Sequence, residues 1–299
     1  MTESLSRSGL VVVDKPAGMT SHDVVSRLRR IMGTRKVGHA GTLDPMATGV
    51  LVAGIERGTK FLAHMVAATK AYDATIRLGA ATSTDDAEGS VLSTADTSAL
   101  IDGTLHASLD KLRGEIMQRP SSVSAIKIDG RRAHELVRAG ETVDIPARPV
   151  TIHRLDVLDI RREGGFVDID VSVGCSSGTY IRSLARDLGE DLGVGGHLTA
   201  LRRTEVGPFL LADARTLEEL EQSPRLSLSL DEALTRSYPS INVTDEEAAA
   251  LAMGKWLEPR GLSGVHAAVA PDGRAVALIA EKGKRLSTVF VARPSTLEL

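Results

Sequence analysis

The chain has one cysteine, Cys175, in 299 residues, so it can form no internal disulfide. A lone thiol fits a reducing compartment. Aromatic residues make up only 3% of the chain, with four Phe, three Tyr and one Trp, so each tyrosine is a candidate for a special role. No apolar run approaches the ~20 residues a membrane span requires, and Met1–Gly9 lacks the apolar core of a secretory signal. A cytoplasmic location without membrane association is expected. The eight histidines are scattered, with no H-E-x-x-H helix and no cysteine pair, so no metal is expected. There is no G-x-x-x-x-G-K-[ST] phosphate loop, which argues against nucleotide hydrolysis.

A marked excess of charge of one sign is also missing. The net charge is −3, but its distribution is uneven. Residues 1–80 hold eleven Lys/Arg and six Asp/Glu, whereas residues 81–110 hold six acids and no Lys or Arg. The acidic segment hides a basic N-terminal region of the kind a phosphate backbone senses. Hydrophobic content of 42% and charged content of 25% are those of a globular protein, and 299 residues are enough for two domains.

The fourteen residues from Gly38 to Leu51 combine three glycines, His39, Asp44 and Pro45. Glycine permits backbone paths closed to other residues, and proline fixes the path just after Asp44. A stiff, kinked loop that holds His39 and Asp44 in set directions is expected. Before it, Leu10–Val13 reads as a strand running into a turn. A helix then follows, capped by Thr20 or Ser21, with Val24, Val25, Leu28 and Ile31 on one face and Gly33 as its stop.

Ala71–Leu78 alternates as a half-buried strand with Tyr72 on its apolar face, and Val167–Val173 repeats the pattern. Residues 82–110 read as a surface excursion followed by a helix. The turn Gly174–Gly178 leads into a helix marked by Ile181, Leu184, Ala185 and Leu188. Residues 213–235 read as helices. Beyond a boundary at Tyr238-Pro239, strands are expected at Val265–Ala270, Ala275–Ile279 and Thr288–Val291, with turns at Pro271–Gly273 and Lys282–Lys284. No internal repeat is present.

The Gly38–Leu51 stretch resembles the G-H-x-G-x-L-D-P-x-A-x-G-x-L signature of the TruB family of bacterial tRNA pseudouridine-55 synthases. Six further boxes in order strengthen the resemblance: Asp14–Ser21, Gly58–Phe61, Lys70–Tyr72, Pro120–Lys127, Gly178–Arg182 and Leu201–Arg203. The resemblance covers nearly all of the chain up to residue 238. It implies an α+β fold, with a mixed, largely antiparallel central sheet flanked by helices over 1–238. A small all-β, PUA-like RNA-binding domain over 239–299 completes it.

The implied activity is isomerisation of uridine 55 in the T loop of tRNA by base flipping, without a cofactor. The implied partner is the T arm of tRNA, with no obligatory protein partner and a monomeric enzyme. By resemblance Asp44 is the catalytic carboxylate, Arg182 keeps it ionised, and Tyr72 stacks on the base and moves its C5 proton. Tyr180 and Leu201 line the pocket, and His39 fills the space of the flipped base. Lys60, Lys127 and Arg138 contact RNA, while Lys15, Pro16 and Gly41 support the site structurally. The chain departs from the family pattern at Val123, His134 and Leu136, where relatives often carry aromatic residues.

Two other readings compete. Gly174-Cys175-Ser176-Ser177-Gly178 fits the G-x-S-x-G elbow of a serine hydrolase, with Asp187 or Asp191 and then His197 as nominal partners. The chain lacks the repeated strand–helix alternation of such a fold. The other reading is a non-catalytic RNA-binding or tRNA-folding protein, against which the intact Asp44, Tyr72 and Arg182 set argues.

Overall fold

The computed structural model describes residues 5–65, 68–124, 126–128, 130–141 and 143–297. Residues 1–4 of the polar N-terminus and Ala125 of the Pro120–Lys127 box lie outside them. The chain forms two compact units. One joins residues 1–66 to 206–299, and the other is 67–205.

Strand β1 (Gly9–Lys15) opens the first unit. Leu10 to Val13 are fully buried, as a continuous apolar run covered on both faces should be. Helix α1 (Ser21–Ile31) follows a reciprocal cap between Thr20 and Asp23, and it buries Val24, Val25 and Leu28. Gly33 ends it at φ +63°. Strands β2 (Val37–Ala40) and β3 (Thr48–Ile55) flank the signature loop, and β3 pairs antiparallel with both β1 and β2. The short helix α2 (Gly58–Phe61) follows.

The second unit begins with β4 (Lys70–Leu78), which buries Tyr72, Ala74, Ile76 and Leu78 on one face. A hairpin of β5 (Ala80–Thr82) and β6 (Val91–Thr94) precedes α3 (Asp102–Asp110) and β7 (Gly114–Gln118). A second hairpin, β8 (Lys127–Ile128) and β9 (Arg131–Arg132), runs into α4 (Ala133–Arg138). Strands β10 (Arg148–Glu163) and β11 (Phe166–Cys175), helix α5 (Ile181–Asp191) and strand β12 (Gly196–Val206) complete it. The strand order is β12-β4-β11-β10-β7. The pairs β4–β11, β11–β10 and β10–β7 are antiparallel. On the open face of β11, Arg77 forks onto Asp168 at 2.8 Å and Thr75 donates to Asp170 at 2.7 Å. These cross-strand pairs set the register.

The 82–110 segment is less superficial than its composition implies. Thr82, Asp85, Asp86, Leu105 and Leu109 are buried. The reason is pairing: Asp85 and Asp86 meet Arg186 and Arg182 of α5, which makes their burial tolerable.

After β13 (Phe209–Leu210), helix α6 (Leu217–Gln222), strand β14 (Leu228–Ser229) and helix α7 (Leu230–Ser237) return to the first unit, where β14 pairs with β1. Strand β15 (Ser240–Asn242), helix α8 (Asp245–Ala252) and strands β16 (His266–Val269), β17 (Ala275–Lys282) and β18 (Arg285–Val291) form the C-terminal module. Its sheet order is β15-β16-β17-β18, with β15 parallel to β16 and the other pairs antiparallel. Val243, Leu251, Val276, Ile279 and Leu286 make its core. Strands β15 and helix α8 add to the three strands expected here.

Candidate active site

The loop from Gly41 to Ala47 joins β2 to β3, and three residues outside it hold it in place. Lys15 is completely buried. Its ammonium donates to the carbonyls of Pro16 at 2.8 Å, Pro45 at 3.2 Å and Ala47 at 2.8 Å. Ser21, at the start of α1, both donates to the Leu43 carbonyl at 3.1 Å and accepts from the Leu43 N–H at 2.9 Å. Gly18 N–H donates to the Pro45 carbonyl at 2.8 Å. Leu43 and Ala47 are buried, and Asp44 between them is half-buried. The backbone is therefore tied on both sides of Asp44. Gly41 (φ +71°) supplies a left-handed turn at the exposed start of the loop. Pro16 is exposed just after β1. His39 is half-buried on β2, opposite Ala53 of β3, and Lys60 is exposed in α2.

The second unit carries the other candidates. Tyr72 is buried on β4, opposite Val173 of β11. Leu201 is buried on β12, the neighbouring strand of β4. Arg182 is buried in the first turn of α5. It donates to the Thr84 carbonyl at 3.1 Å and the Val123 carbonyl at 2.9 Å, and lies 3.6 Å from the buried Asp86 carboxylate. Asp86 in turn accepts from Thr84 Oγ1 at 2.5 Å and the Glu88 N–H at 3.0 Å. The family resemblance assigns Arg182 to Asp44, whereas the carboxylate beside its guanidinium in this unit is Asp86, for which the sequence held no sign.

Tyr180 is the residue before α5 and is half-buried. Its N–H donates to Gln118 Oε1 at 2.8 Å, and Gln118 Nε2 donates back to its carbonyl at 3.1 Å. Gln118 is buried at the end of β7. This two-bond clamp occupies the Tyr180 amide, so that amide is not available to a phosphate, as a helix N-terminus would otherwise allow. Sequence reasoning missed Gln118, although the Gln-x-Pro spacing before the Pro120 box was visible. Lys70, two residues before Tyr72, is another residue left without a role. Burial, with Arg203 nearby, holds its ammonium below the usual lysine range.

Lys127 on β8 and Arg138 at the end of α4 are exposed. They share the 127–138 segment with exposed Arg131 and Arg132, and His134 Nδ1 lies 3.0 Å from the Ser124 carbonyl.

The hydrolase arrangement does not form. Ser176 Oγ accepts from the Thr151 N–H at 2.9 Å, a structural bond to β10. His197 Nδ1 lies 2.8 Å from the Ala80 carbonyl. Asp191 is engaged by Ser108 and Lys111, and Asp187 by Arg186. The G-x-S-x-G spacing here marks a strand–turn–helix junction, with Gly178 at φ +82°. Among the described residues, no group of three or more His, Cys, Asp and Glu side chains is arranged to hold a metal ion, and no helix is long and apolar enough to cross a membrane.

Comparison with known proteins gives a consistent set of matches. The sequence model of the TruB family pseudouridylate synthase N-terminal domain matches residues 29–181. That of the tRNA pseudouridylate synthase B C-terminal domain matches 182–237, and that of the tRNA pseudouridine synthase II C-terminus matches 238–293. The chain is 75% identical to a tRNA pseudouridine synthase B of Corynebacterium aurimucosum, covering 99% of this chain and 100% of that one. It is 58% identical to the enzyme of that name from Rhodococcus jostii, covering 99% and 97%. Among solved structures, an H/ACA RNP bound to a substrate RNA containing 2'-deoxyuridine matches with a TM-score of 0.72 at 25% identity, over 96% of this chain and 86% of that one. The archaeal box H/ACA sRNP Nop10–Cbf5 complex matches with a TM-score of 0.71 at 26% identity, over 97% and 88%.

Proposed function

From the premise that this chain belongs to the TruB family of pseudouridylate synthases, we propose that Asp44 is the catalytic carboxylate of its reaction, with Tyr72 and Arg182. The protein is an isomerase that converts uridine to pseudouridine in tRNA. Its fold class is the α+β pseudouridine-synthase core with a small C-terminal β-sheet domain. The target in our reading is uridine 55 of the T loop. We further read it as a monomeric cytoplasmic enzyme that needs no protein partner, with domains at 1–238 and 239–299.

Uridine and pseudouridine contain the same atoms. The N1–C1′ bond breaks, a C5–C1′ bond forms, the C5 proton leaves and N1 gains one. Nothing is oxidised overall and no water is consumed, so a single carboxylate in a dry pocket is a sensible minimum. A hydrolytic glycosidase, by contrast, uses two carboxylates to manage a leaving group and a water. A carboxylate can serve this isomerisation by adding to the sugar, by adding to the base or by removing a sugar proton. Each route needs it ionised and aimed.

The observation that carries the assignment to Asp44 is the clamp on its loop. Lys15 binds the backbone after it and Ser21 the backbone before it. Preorganisation of this kind is what a reacting group needs, since a displacement near 1 Å can cost about a hundredfold in rate. Tyr72 supplies an apolar ring for the base and a hydroxyl for the C5 proton. Tyr180 and Leu201 line the pocket. His39 fills the gap left when the base is extruded, a step that costs about a few kcal/mol. Lys60, Lys127 and Arg138 meet the RNA backbone.

The test is tritium release from tRNA and T-arm RNA labelled at C5 of uridine, with wild type and Asp44→Asn compared. Release by wild type, its loss in the variant and pseudouridine mapped to position 55 are expected. Release that survives in Asp44→Asn would remove the central assignment. Pseudouridine at another position would remove the T-loop target.

A further inference from the structure

Arg182, Arg186 and Glu190 stand four residues apart on α5, so they line one side of the helix. Each reaches the strap of chain that leaves β7. Arg182 donates to the Val123 carbonyl at 2.9 Å, Arg186 donates to the Arg119 carbonyl at 2.5 Å, and Glu190 lies 3.7 Å from the Arg119 guanidinium. The two helix arginines also reach the turn after β5. Arg186 lies 3.4 Å from the Asp85 carboxylate there, and 3.1 Å from Asp187 on its own helix.

Asp85 is held for this pairing. It is buried, and its φ of +60° lies in the left-handed region that Asp and Asn enter more readily than other side chains. Its carbonyl accepts from the Leu198 N–H of β12 at 3.0 Å, which fixes the backbone that aims the carboxylate. The Arg186 and Asp85 side chains are only 11% and 13% exposed, so solvent screens the pair weakly. The Arg119–Glu190 pair is more than half exposed and contributes little. Neither Asp85 nor Arg186 has a part in the chemistry assigned to Asp44, Tyr72 and Arg182.

The strap opens a basic segment. Residues 119–141 hold five Lys/Arg and three Asp/Glu. The segment folds back on itself: the Ala133 N–H donates to the Ile126 carbonyl at 2.7 Å and the His134 N–H to the Ser124 carbonyl at 3.1 Å, with Ala133 and Leu136 buried. Lys127, Arg131, Arg132 and Arg138 are exposed on it. A piece closed on itself takes its attitude from its base, and Arg119 to Val123 is that base.

We propose that Arg186, paired with Asp85, is a positioning residue that fastens the base of this segment to α5 and thereby sets its four exposed cations against the phosphates of the bound RNA. The proposal rests on the reading of Lys127 and Arg138 as RNA contacts. A guanidinium suits the task, because its planar fork holds a carboxylate and a carbonyl at once in fixed directions, which an ammonium does not. Fixing the cations before the RNA arrives removes an ordering cost from binding. The pair therefore acts on affinity and not on the rate of the bound complex.

The decisive variant is Asp85→Asn, which keeps the shape, the left-handed backbone and every cation, and removes one acid. Charge counting alone makes RNA bind this variant more tightly; loss of position makes it bind more weakly. Kd for a fluorescein-labelled T-arm stem-loop, read by anisotropy, is expected to rise about tenfold in Asp85→Asn and in Arg186→Gln, and to rise no further in the double variant. The plot of log Kd against log salt should lose roughly 1 to 2 in slope, as one or two phosphate contacts are given up. The single-turnover rate at saturating enzyme should stay within about twofold of wild type. Without RNA, trypsin should cut after Lys127, Arg131, Arg132 and Arg138 about threefold faster or more in both variants, with cleavage elsewhere unchanged.

Tighter or equal RNA binding by Asp85→Asn overturns the proposal. So does faster cleavage spread over the whole chain, which marks a pair that serves only the fold. If Arg186→Gln does not fold, Asp85→Asn decides alone. A Lys127→Ala, Arg138→Ala protein separates this proposal from the reading beneath it. If its Kd equals that of wild type, the RNA contact of the segment falls and the proposal with it. If its Kd rises and that of Asp85→Asn does not, only the role of the Asp85–Arg186 pair falls.

Discussion

Lys15 and Gln118 act on backbone atoms next to the residues assigned to chemistry. Replacing Lys15 with Met leaves the Pro16, Pro45 and Ala47 carbonyls without their charged donor. Hydrogen bonds to a charged group contribute about 1.5–3 kcal/mol each at most, and some of the loss is recovered by relaxation. Lys15→Met is expected to lower stability to urea by about 2–4 kcal/mol and to reduce kcat, because the loop around Asp44 loosens. An unchanged urea midpoint would sink this account.

Gln118 offers a graded test. Gln118→Glu keeps the acceptor for the Tyr180 N–H but loses the donor to its carbonyl, whereas Gln118→Ala loses both. At about 1 kcal/mol per bond, kcat/KM should fall by about tenfold or more in Gln118→Ala and by less in Gln118→Glu. Equal losses in the two variants would argue against the clamp.

Lys70 gives a pH dependence with a definite sign. Burial lowers its pKa from the ordinary 10.5 in the folded state. Between its folded value and 10.5 the unfolded chain holds more protons, so stability rises with pH in that window. Lys70→Met removes this contribution. The difference in stability between Lys70→Met and wild type should therefore shift in favour of wild type as pH climbs from 7 toward 10. Parallel urea midpoints across that range would contradict it.

At the scale of elements, one motif box turns out to serve packing. A Cβ on Gly58 would sit 2.0 Å from the Gly9 carbonyl oxygen, and one on Gly54 would sit 2.5 Å from the Gly58 oxygen. Strands β1 and β3 and helix α2 thus meet backbone to backbone, a contact only glycine permits. Gly58→Ala is expected to destabilise by more than about 3 kcal/mol, or to prevent folding, because backbone must move. Gly103 in α3 has nothing within 4 Å of its added Cβ. Gly103→Ala should be neutral or stabilise by up to about 1 kcal/mol. Thermal unfolding of the pair checks both, and similar melting temperatures would refute the packing explanation.

At the scale of the whole molecule, the C-terminal module is joined to the N-terminal segment by an aromatic cluster. Phe290 of β18 lies 6.1 Å from Phe61 and 5.4 Å from His64, ring centre to ring centre. Arg57 sits 5.5 Å over its ring and donates to the Val291 carbonyl at 3.1 Å, while the Tyr238 hydroxyl donates to the His64 carbonyl at 2.6 Å. Residues 1–66 and 206–299 accordingly count as one unit. Phe290→Ala should cost about 3–5 kcal/mol. It should also split a single calorimetric transition of this unit into two, and a cooperative transition at the wild-type temperature would show that the cluster does not couple them.

Much of this protein was legible in its sequence because the signals were local. The alternation in Val167–Val173 identifies β11, the spacing of Val24, Val25 and Leu28 identifies α1, and the glycines and proline around Asp44 mark a shaped loop. Each depends only on neighbours a few residues away. Helix α8 also carries a local signal, the capping pair Thr244 and Glu247, although the strand pattern on its C-terminal side gives no hint of it.

Tertiary structure decided which distant groups would meet. Lys15 lies thirty residues before the Pro45 carbonyl it holds, and Gln118 sixty-two before Tyr180. Asp85 and Asp86 look like surface acids until the fold sets them against Arg186 and Arg182. A buried charge is tolerable only with a partner, and composition cannot name a partner that sequence distance hides. The sequence by itself thus determined the family, the reaction and the candidate residues. The fold chose the supports that hold them, because support is a matter of contact in space, not of order along the chain.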